Sequence, residues 1–427
     1  MNILMFTNTF TPHVGGVARS VQGFTKEFRE RGHRVVVAAP YFENTPDREA
    51  DVIRFPAVQH FNGSDFSVPV PVPGRLYTAL KTFHPDIVHS HHPFLLGDTA
   101  LRVAAARNIP VVFTHHTLYE EYTHYVPGDS PTLKRFAVDL AIGYCNLCDA
   151  VVAPSQTVAD LLVGRGTAVP IEIIPTGVDR AVFAKGDGRA ARKRFGIPTD
   201  AFVVGHTGRL APEKNPRFLA EAVAQFLLSN EHCHFLVAGA GPSMQEIQAI
   251  FERRGLAGRL HLAGVMGHPE LAGAYRAMNV FAFSSHTETQ GMVLTEAMAA
   301  GVPVVAVDAS GVREVVRDGV NGRLLPADNP DSFSAALSWV AALSPQANQR
   351  LQQAIARTAE EFSMPRTTAR VLALYESLIN SAPATREIET SPWASARRRI
   401  EEEWKIIRNI ARAVGDSVLS APRPQKR

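Results

Sequence analysis

The sequence predicts an α/β fold of two doubly wound, Rossmann-like domains, and three observations lead to this prediction. The chain has 427 residues, which is more than one ordinary hydrophobic core holds. Short apolar runs rich in Val, Ile and Phe alternate with segments of helical periodicity. Most of these runs end in polar residues or glycine, as parallel strands do at the carboxyl edge of a sheet. Two such sheets should face each other across a cleft, with an extra helical tail after them.

The first half of the chain supplies one set of alternating elements. We predict strands at the apolar runs Ile3–Thr7, Arg34–Ala39, Asp86–His89, Pro110–Phe113 and Ala150–Ala153. Val17–Arg31 has the periodicity of a helix, and Gly32 ends it. Pro175 and Gly177 then mark a turn, so we predict a first domain over residues 1–176.

The second half repeats the alternation and ends in a different kind of segment. Its predicted strands are Phe202–His206, Cys233–Ala238, Arg259–Leu262, Val280–Phe283 and Val302–Val307. They define a second domain over residues 177–361. We predict that residues 362–380 form a helix that crosses back to the first domain, and that residues 381–427 form a basic amphipathic tail.

Composition and charge exclude several classes of protein. The hydrophobic content of 45% and charged content of 20% are those of a soluble globular protein. A net charge of +3 is too small to indicate nucleic-acid binding. The N-terminus lacks the features of a signal peptide, so we expect a cytoplasmic protein. Cys145 and Cys148 form a C-x-x-C pair, which we interpret as buried structural thiols rather than a redox pair or half of a zinc site.

The segment His286–Gly301 carries the strongest functional signal. Gly291 removes a side chain where a helix begins, so a phosphate can reach backbone N–H groups and the positive end of the helix dipole. Glu296 projects from that helix toward the same edge, where a carboxylate can accept hydrogen bonds from a ribose. Glu288, in the preceding loop, can reach a sugar. The spacing alone also fits an N-capped surface helix with solvated glutamates, but the complete string in this context favours function.

This segment resembles the E-x7-E signature of retaining glycosyltransferase family four, which has the GT-B fold, and the similarity covers roughly residues 1–380. The resemblance implies a nucleotide-sugar donor as substrate, UDP-glucose in our prediction, and no cofactor. It implies that Gly291 and the backbone of Met292 and Val293 meet the donor. It also implies that Glu296 holds the ribose and Glu288 contacts the sugar.

Loops of the second domain supply further donor-binding candidates. Arg209 and Lys214 follow a predicted strand five residues apart, and together they can neutralise a departing diphosphate without a metal. In the family these positions hold the diphosphate; a solvated helix start is the alternative. The resemblance places Gly239 near the phosphates and Val265 against the nucleobase. Because such contacts are mainly to the backbone, the identity of the base stays open.

The first domain contributes a glycine pair and histidines. Gly15 and Gly16 open a helix after the first strand and allow close backbone approach to the donor. His116 matches the family histidine that lies beside the sugar, with a structural histidine as the alternative. The cluster His89–His92 has three histidines, but adjacent residues of a strand point to opposite faces. We therefore predict that it lines the cleft and binds no metal.

The mechanism implied by the resemblance is a same-face substitution that retains the anomeric configuration. The departing phosphate would help to deprotonate the acceptor hydroxyl, while the enzyme positions both substrates. The residues to which we assign catalytic roles are His116, Arg209, Lys214 and Glu288. Glu288 is assigned as a sugar-orienting or cation-stabilising group rather than as an established nucleophile. No D-x-D sequence near a strand end offers a metal–diphosphate site, so we predict a metal-independent enzyme.

Two segments favour a lipid acceptor. The string Thr287–Gly291 and the aromatic segment Thr114–Tyr125 both resemble bacterial diacylglycerol glucosyltransferases. We therefore predict transfer of glucose from UDP-glucose to diacylglycerol. One alternative is a transferase that uses GDP-mannose or another UDP-sugar on a phosphoinositide or other glycan. Two others are a nucleotide-sugar epimerase of similar fold and a non-catalytic nucleotide-sugar binding protein.

The tail has an apolar stripe at helical spacing with basic residues beside it. The stripe consists of Trp393, Ile400, Trp404, Ile407, Ala411 and Val414. The basic residues are Arg397, Arg398, Arg399, Lys405, Arg408 and Arg412. This pattern fits a helix that lies on an anionic membrane surface, which would place the protein on the inner face of the plasma membrane. The acids Glu401–Glu403 weaken this interpretation, and packing on the protein or on a second subunit has equal weight.

Overall fold

The structure is a computed structural model that describes residues 1–47, 49–60, 67–70, 72–125, 129–381 and 392–419. Trp393 of the predicted apolar stripe, and parts of the tail and of Thr114–Tyr125, lie outside the described residues or side chains. Contacts divide the described chain into two compact units. The second unit is Thr176–Arg366, and the first contains the residues before Thr176 and those from Thr367 onward.

The first unit is built on a parallel sheet with the order β3-β2-β1-β6-β7-β8-β9. Its strands are β1 (Asn2–Phe6), β2 (Arg34–Pro40), β3 (Val52–Phe55), β6 (Ile87–Ser90), β7 (Val111–Thr114), β8 (Ala150–Ala153) and β9 (Ile171–Ile173), and β4 (Ala57–Val58) pairs with β5 (Val68–Pro69) separately. Its helices are α1 (Gly16–Glu30), α2 (Pro73–Ala79), α3 (Leu96–Arg107), α4 (Pro131–Cys145) and α5 (Gln156–Gly164), with a 3-10 helix at Tyr119–Tyr125. Strands β7 and β8 are buried along their whole length, as expected where helices cover both faces of a sheet.

The second unit repeats this design with the parallel order β12-β11-β10-β13-β14-β15. Its strands are β10 (Phe202–Thr207), β11 (Cys233–Ala238), β12 (Leu260–Gly264), β13 (Val280–Phe283), β14 (Val304–Val307) and β15 (Gly322–Leu325). Its helices are α6 (Arg180–Ala184), α7 (Gly188–Arg194), α8 (Pro216–Leu228), α9 (Met244–Arg253), α10 (His268–Ala277), α11 (Met292–Ala299), α12 (Pro330–Ala341) and α13 (Pro345–Glu361), with 3-10 helices at Pro212–Lys214 and Ala257–Arg259.

The last two helices belong largely to the first unit. Helix α14 (Met364–Asn380) packs Tyr375 against Phe28 of α1, and the Tyr375 hydroxyl contacts His89 Nδ1 at 2.5 Å. Helix α15 (Pro392–Leu419) packs on α3 and α4.

The predicted α/β class with two doubly wound domains is confirmed by these two sheets. The edge strands β3, β9 and β15 were not predicted. Strand β9 has the sequence Ile-Glu-Ile with none of its residues buried, so it lacks the continuous apolar run of an interior strand.

The three cysteines are free and buried, which agrees with the prediction of structural thiols. Burial raises the pKa of Cys145 to about 12 and holds the pKa of Cys148 well above its ordinary value. Because the thiolate is the reactive form, neither group is prepared for redox chemistry near neutral pH.

Candidate functional site

The order of the second sheet identifies where a ligand should bind in that unit. β10 pairs with β11 on one side and with β13 on the other. The chain builds the sheet from β10 toward β12 and then returns to continue from β13 on the opposite side, so the strand order reverses next to β10. In doubly wound sheets ligands bind at the carboxyl ends of the strands at such a switch point. The loop after β10 carries Arg209 and Lys214, and the loop after β13 carries Glu288. The fold therefore brings these two predicted loops to one place.

The centre of the site is an ion pair between two sequence-predicted residues. The Lys214 ammonium donates to Glu288 Oε1 at 2.6 Å, and the two side chains are 20% and 16% exposed. Limited exposure reduces solvent screening, so this pair is stronger than an ordinary surface pair. Arg209 is half-buried in the same loop as Lys214. The site thus holds an ion pair at the carboxyl edge of the sheet, with Arg209 in the same loop as Lys214.

Several hydrogen bonds fix the two loops to each other. The Ser284 hydroxyl donates to the carbonyl oxygens of Lys214 and Asn215 at 3.1 and 3.0 Å. Asp328 accepts from the Asn215 amide at 2.7 Å and lies 2.9 Å from His286 Nε2. Because both sides of the ion pair are held in this way, Lys214 and Glu288 are positioned before any ligand arrives.

Glu296 is buried in α11 and is held by residues that the sequence analysis did not identify. Its Oε2 accepts from the Tyr275 hydroxyl at 2.8 Å, and the same hydroxyl contacts Thr207 Oγ1 at 2.5 Å. Tyr275 is fully buried and Glu296 is 4% exposed. No sequence signal marks Tyr275, which lies in an apolar helix, but its contact fixes the carboxylate that we expect to bind ribose.

Helix α11 begins directly after Gly291, where the sequence predicted the start of a helix. Gly291 has φ +72°, a conformation that favours glycine, and it immediately precedes Met292. Backbone N–H groups in the first turn of a helix have no intrahelical acceptor, so those of Met292 and Val293 are available to an anion.

Gln290, just before Gly291, forms two hydrogen bonds with the backbone of one residue, Thr176. Its side-chain amide donates to the Thr176 carbonyl at 2.7 Å and accepts from the Thr176 N–H at 2.7 Å. Gln290 therefore has a structural function in this unit, in addition to its place in the string that resembles diacylglycerol glucosyltransferases.

Close backbone packing requires Gly239 in the loop after β11. Its φ is +142°, and a Cβ atom there would lie 1.9 Å from the Gly208 carbonyl oxygen. Gly239 N–H donates to the Gly264 carbonyl at 2.8 Å, and Leu210 N–H donates to the Ala240 carbonyl at 2.9 Å, so the loop after β11 is joined both to the loop that carries Val265 and to the loop that carries Arg209. Val265 itself is 63% exposed.

Replacing Gly239 with alanine is expected to displace the Arg209 loop. The strained φ and the carbonyl clash should lower the free energy of unfolding by about 1–3 kcal/mol and weaken nucleotide binding. Thermal unfolding and calorimetric titration with UDP measure the two effects. Gly258→Ala is the matched control, because a Cβ atom there meets nothing within 4 Å. Equal effects of both substitutions would contradict the role of Gly239 in the loop contact.

The first unit places its candidate residues at the carboxyl edge of its own sheet. Gly15 precedes α1 and Gly16 begins it, next to the end of β1. A Cβ atom at Gly15 would lie 3.2 Å from His13 Nε2, so a side chain there would crowd the loop. β1 pairs with both β2 and β6, which makes this the switch point of the first sheet.

His116 and its neighbours form a packed group after β6 and β7. His116 Nε2 lies 2.9 Å from His91 Nδ1, and the rings of His91 and His89 lie 4.2 Å apart between centroids with their planes tilted by 33°. His89 Nε2 contacts Thr114 Oγ1 at 2.7 Å. His89, His91 and His92 are all buried, and their position along a cleft stays a prediction. The contact of His91 with His116 orients the His116 ring.

Burial keeps these imidazoles neutral. It lowers the pKa of His89 and of His92 to about 3, and that of His115 to about 4. It also holds the pKa of His91 and of His116 well below the ordinary value. A neutral His116 can donate or accept a hydrogen bond but carries no charge at neutral pH. Its chemistry is therefore that of a neutral hydrogen-bonding group.

Within the described part of the chain, no group of three or more His, Cys, Asp or Glu side chains is arranged to hold a metal ion. Among the described helices, none combines the length and the apolar character that a membrane span requires.

The chain matches two adjoining protein families. Residues 14–182 match the family described as Glycosyltransferase Family 4. Residues 187–358 match the family described as Glycosyl transferases group 1.

Relatives of known activity cover most of the chain. The alpha-monoglucosyldiacylglycerol synthase of Streptococcus pneumoniae is 28% identical over 76% of this chain and 75% of its own length. The enzyme of the same name from Acholeplasma laidlawii is 30% identical over 75% of this chain and 84% of its own. The D-inositol 3-phosphate glycosyltransferase of Actinosynnema mirum is 34% identical over 68% of this chain and 72% of its own.

Solved structures show the same fold. Anabaena HepE in complex with UDP-glucose superimposes with a TM-score of 0.69 at 22% identity, over 88% of this chain and all of its own. Sucrose-phosphate synthase from Thermosynechococcus elongatus gives a TM-score of 0.73 at 21% identity, over 89% of this chain and 99% of its own. Together with the sequence matches, these structures show that the chain belongs to glycosyltransferase family 4 and has the GT-B fold.

Proposed function

We propose that this glycosyltransferase moves glucose from UDP-glucose to a lipid acceptor such as diacylglycerol, with retention of configuration and without a metal. The observation that carries the proposal is the Lys214–Glu288 pair at the switch point of the second sheet. A cation for the leaving diphosphate and a carboxylate for the sugar lie 2.6 Å apart, as a site for breaking the bond between those two groups requires. The monoglucosyldiacylglycerol synthases among the relatives support glucose and diacylglycerol.

Each part of the donor has a proposed partner in the second unit. Arg209 and Lys214 bind the diphosphate together with the N–H groups that begin α11. Glu296, fixed by Tyr275, accepts hydrogen bonds from the ribose hydroxyls. Backbone groups beside Val265 contact the base.

Residues of the first unit are assigned to the reacting groups. His116, neutral and oriented by His91, is proposed to hydrogen-bond a hydroxyl of the transferred sugar. Gly15 and Gly16 let the backbone approach the donor closely.

The proposed reaction exchanges one bond to the anomeric carbon for another on the same face. The bond from that carbon to the diphosphate oxygen breaks, and the acceptor hydroxyl oxygen forms the new bond. The hydroxyl proton passes to the departing diphosphate. Arg209 and Lys214 stabilise the charge on that group, while Glu288 faces the positive charge that develops on the sugar.

A second acceptor class is favoured by a specific observation. The D-inositol 3-phosphate glycosyltransferases are 31–34% identical to this chain, slightly more than the lipid enzymes. The alternative is therefore a polyol phosphate or glycan acceptor, a phosphoinositide included, with a UDP-sugar or GDP-mannose as donor. Either lipid acceptor would place the protein peripherally on the cytoplasmic face of a membrane.

The proposal predicts the product of a direct transfer assay. Labelled UDP-glucose and GDP-mannose are supplied in EDTA with vesicles that contain diacylglycerol, with vesicles that contain phosphatidylinositol, or without lipid. We expect a labelled glucolipid only with UDP-glucose and diacylglycerol, and NMR of the product should show the α-anomer.

The other results separate the alternatives. A mannolipid or a labelled phosphoinositide would replace the proposed donor or acceptor. Loss of the product in EDTA would contradict metal independence. Conversion of the donor without any acceptor would indicate an epimerase and contradict group transfer.

A further inference from the structure

Helix α15 is fixed to the first unit by one of its faces. The guanidinium of Arg102 in α3 donates twice to the Glu403 carboxylate, at 2.6 and 2.9 Å. The Asn409 amide donates to the Leu140 carbonyl of α4 at 3.2 Å. Asn409 also packs so closely on Gly143 that a Cβ atom at residue 143 would lie 1.6 Å from its Oδ1. The helix is therefore a docked part of this unit.

The docked face and the predicted apolar stripe are different faces of the helix. The buried residues of α15 recur on the docked face; they are Glu402, Ile406, Ala413 and Ser417. The stripe points away from it, with exposures of 59% for Ile400, 61% for Trp404, 48% for Ile407 and 48% for Val414. Ile410, 41% exposed, borders the stripe. Packing on its own protein thus leaves the stripe uncovered.

The size and continuity of the stripe distinguish it from scattered exposed residues. From Ile400 to Val414 it runs about 21 Å along the helix, at 1.5 Å per residue. Isolated exposed apolar side chains are normal, but a continuous row that includes a tryptophan marks a contact surface.

Basic residues flank the stripe. At 100° per residue, Arg408 and Arg412 lie on one side of it, together with Arg397 and Lys405. Arg397 pairs with Glu401 at 2.8 Å and Lys405 with Glu402 at 3.1 Å. Within the described residues, Arg408 and Arg412 form no ion pair and are exposed. The acids that weakened the sequence-based interpretation are therefore engaged by Arg397, Lys405 and Arg102.

We propose that this face of α15, defined by Ile400, Trp404, Ile407 and Val414 with Arg408 and Arg412 beside them, binds the surface of an anionic lipid bilayer. The apolar stripe would enter the boundary between headgroups and acyl chains, while the arginines contact lipid phosphates. The inference deepens the proposed function and rests on it for its purpose, because an acceptor within a bilayer must be reached from that surface.

Charge favours lipid over a second copy of this chain. Two copies of α15 packed antiparallel through the stripe would place their basic flanks side by side, and like charges at an interface repel. An anionic bilayer instead complements the flank along its whole length.

Vesicle binding without donor tests this surface directly. Sedimentation with phosphatidylglycerol vesicles should show at least about tenfold weaker partitioning for Trp404→Ser/Ile407→Ser. Arg408→Gln/Arg412→Gln should reduce partitioning to these vesicles about fivefold for each arginine removed, and it should not change partitioning to phosphatidylcholine vesicles. The matched control for the apolar variant is Val163→Ser/Leu228→Ser, because Val163 and Leu228 are 62% and 53% exposed on other helices. The matched control for the basic variant is Arg253→Gln/Arg254→Gln, on the surface of the second unit.

Activity in two formats separates this surface from the site. For Trp404→Ser/Ile407→Ser we expect reduced glucose transfer to diacylglycerol in vesicles but unchanged transfer to a short-chain, water-soluble diacylglycerol. Absence of transfer in both formats for the unaltered protein, with the expected pattern of vesicle binding, would reject the proposed function and leave the docking surface.

Two results would overturn the docking surface. One is vesicle binding that is unchanged by both α15 variants or reduced equally by the controls. The other is a change from dimer to monomer in sedimentation velocity for Trp404→Ser/Ile407→Ser with vesicle binding intact, which would assign the stripe to a second copy of the chain.

Discussion

Replacement of Lys214 with alanine is expected to weaken UDP binding about ten- to hundredfold and to lower kcat about 10²–10³-fold. The first effect follows from losing a charge-assisted hydrogen bond to the diphosphate, which contributes about 1.5–3 kcal/mol. The second follows because charge on the leaving group grows toward the transition state, where a fixed cation stabilises it most. Removing Lys214 also leaves Glu288 without the partner that it contacts at 2.6 Å. Calorimetric titration with UDP and steady-state kinetics measure the two effects separately.

Replacement of Glu288 with glutamine should act in the opposite direction on binding. In the donor-free protein the Lys214 ammonium is engaged by Glu288, so a diphosphate competes with this carboxylate for the cation. Glu288→Gln removes the competing charge and keeps the shape, and UDP should bind as tightly as before or several-fold tighter. The kcat should still fall at least about hundredfold, because the sugar loses the carboxylate that faces its developing positive charge.

The opposite signs distinguish a functional pair from a structural one. If the pair only held two loops together, both substitutions would weaken UDP binding and lower thermal stability alike. The Arg317–Glu361 pair, at 2.6 Å in the same unit, supplies the control Arg317→Ala. A loss of UDP affinity in Glu288→Gln equal to that in Lys214→Ala would contradict the assignment of the two groups to different parts of the donor.

The sequence could predict these loops because each follows a strongly apolar strand. β10 and β13 stand out as continuous buried runs, and parallel strands present their carboxyl ends at one edge. Arg209, Lys214 and Glu288 could therefore be assigned to one region without knowing any distance. That Lys214 and Glu288 touch depends on loop contacts through Ser284 and Asp328, which no spacing in the sequence reveals.

Residues that hold the site residues and their loops in position could not be predicted in this way. Tyr275 acts through its contacts with Glu296 and Thr207, and Gln290 acts through two hydrogen bonds to the backbone of Thr176. Gly311 is a further case, because a Cβ atom there would lie 2.6 Å from the Gln290 backbone nitrogen. Such contacts join residues distant in sequence and leave no periodic pattern, so only the folded chain identifies them.

The tail shows a different limit of sequence reasoning. Its apolar stripe was visible as helical spacing, but Glu402 and Asn409 could not be expected on the docked face. A polar docked face is possible because Arg102, Gly143 and backbone carbonyls of α3 and α4 match it. Hydrophobic periodicity indicates which face avoids water, and it does not say which partner covers that face.

Mild acid is expected to destabilise the first unit far more than the second. Burial lowers the pKa of His89 and of His92 to about 3 and of His115 to about 4. In the unfolded chain these groups titrate near their ordinary value of about 6.5. Below that pH the unfolded state binds protons that the folded state does not, so stability is full above about pH 6.5 and falls as the pH drops toward 3–4.

The expected loss at pH 5 is large compared with the stability of a domain. At 1.5 pH units below 6.5, each of these imidazoles costs about 2 kcal/mol, since one unit corresponds to 1.36 kcal/mol. Three of these imidazoles lower the free energy of unfolding by about 6 kcal/mol, whereas a native domain typically has a free energy of unfolding of about 5–15 kcal/mol. Burial raises the pKa of Asp98 to about 6, so the folded state takes up a proton at this carboxylate as the pH falls to 5. This uptake adds about 1 kcal/mol to the free energy of unfolding and offsets part of the loss. In the second unit, His206 is the one fully buried imidazole among the described residues, and its pKa, lowered to about 4, corresponds to a loss of about 2 kcal/mol. Burial also lowers the pKa of the half-buried His234 and His261, which adds to the loss in this unit.

Hydrogen exchange between pH 7.5 and 5, corrected for the intrinsic exchange rate, resolves the two units in one experiment. We expect protection to fall first in β6, β7 and β8, while β10 and β13 stay protected.

His92→Asn keeps an acceptor for the Asn8 N–H, which contacts His92 Nδ1 at 3.0 Å, and removes one titrating group. It should therefore reduce the slope of unfolding free energy between pH 6 and 4 by about 1.4 kcal/mol per pH unit. His232→Asn, on an exposed residue of the second unit, is the matched control, and an equal change of slope in both variants would show that the buried histidines do not cause the acid sensitivity.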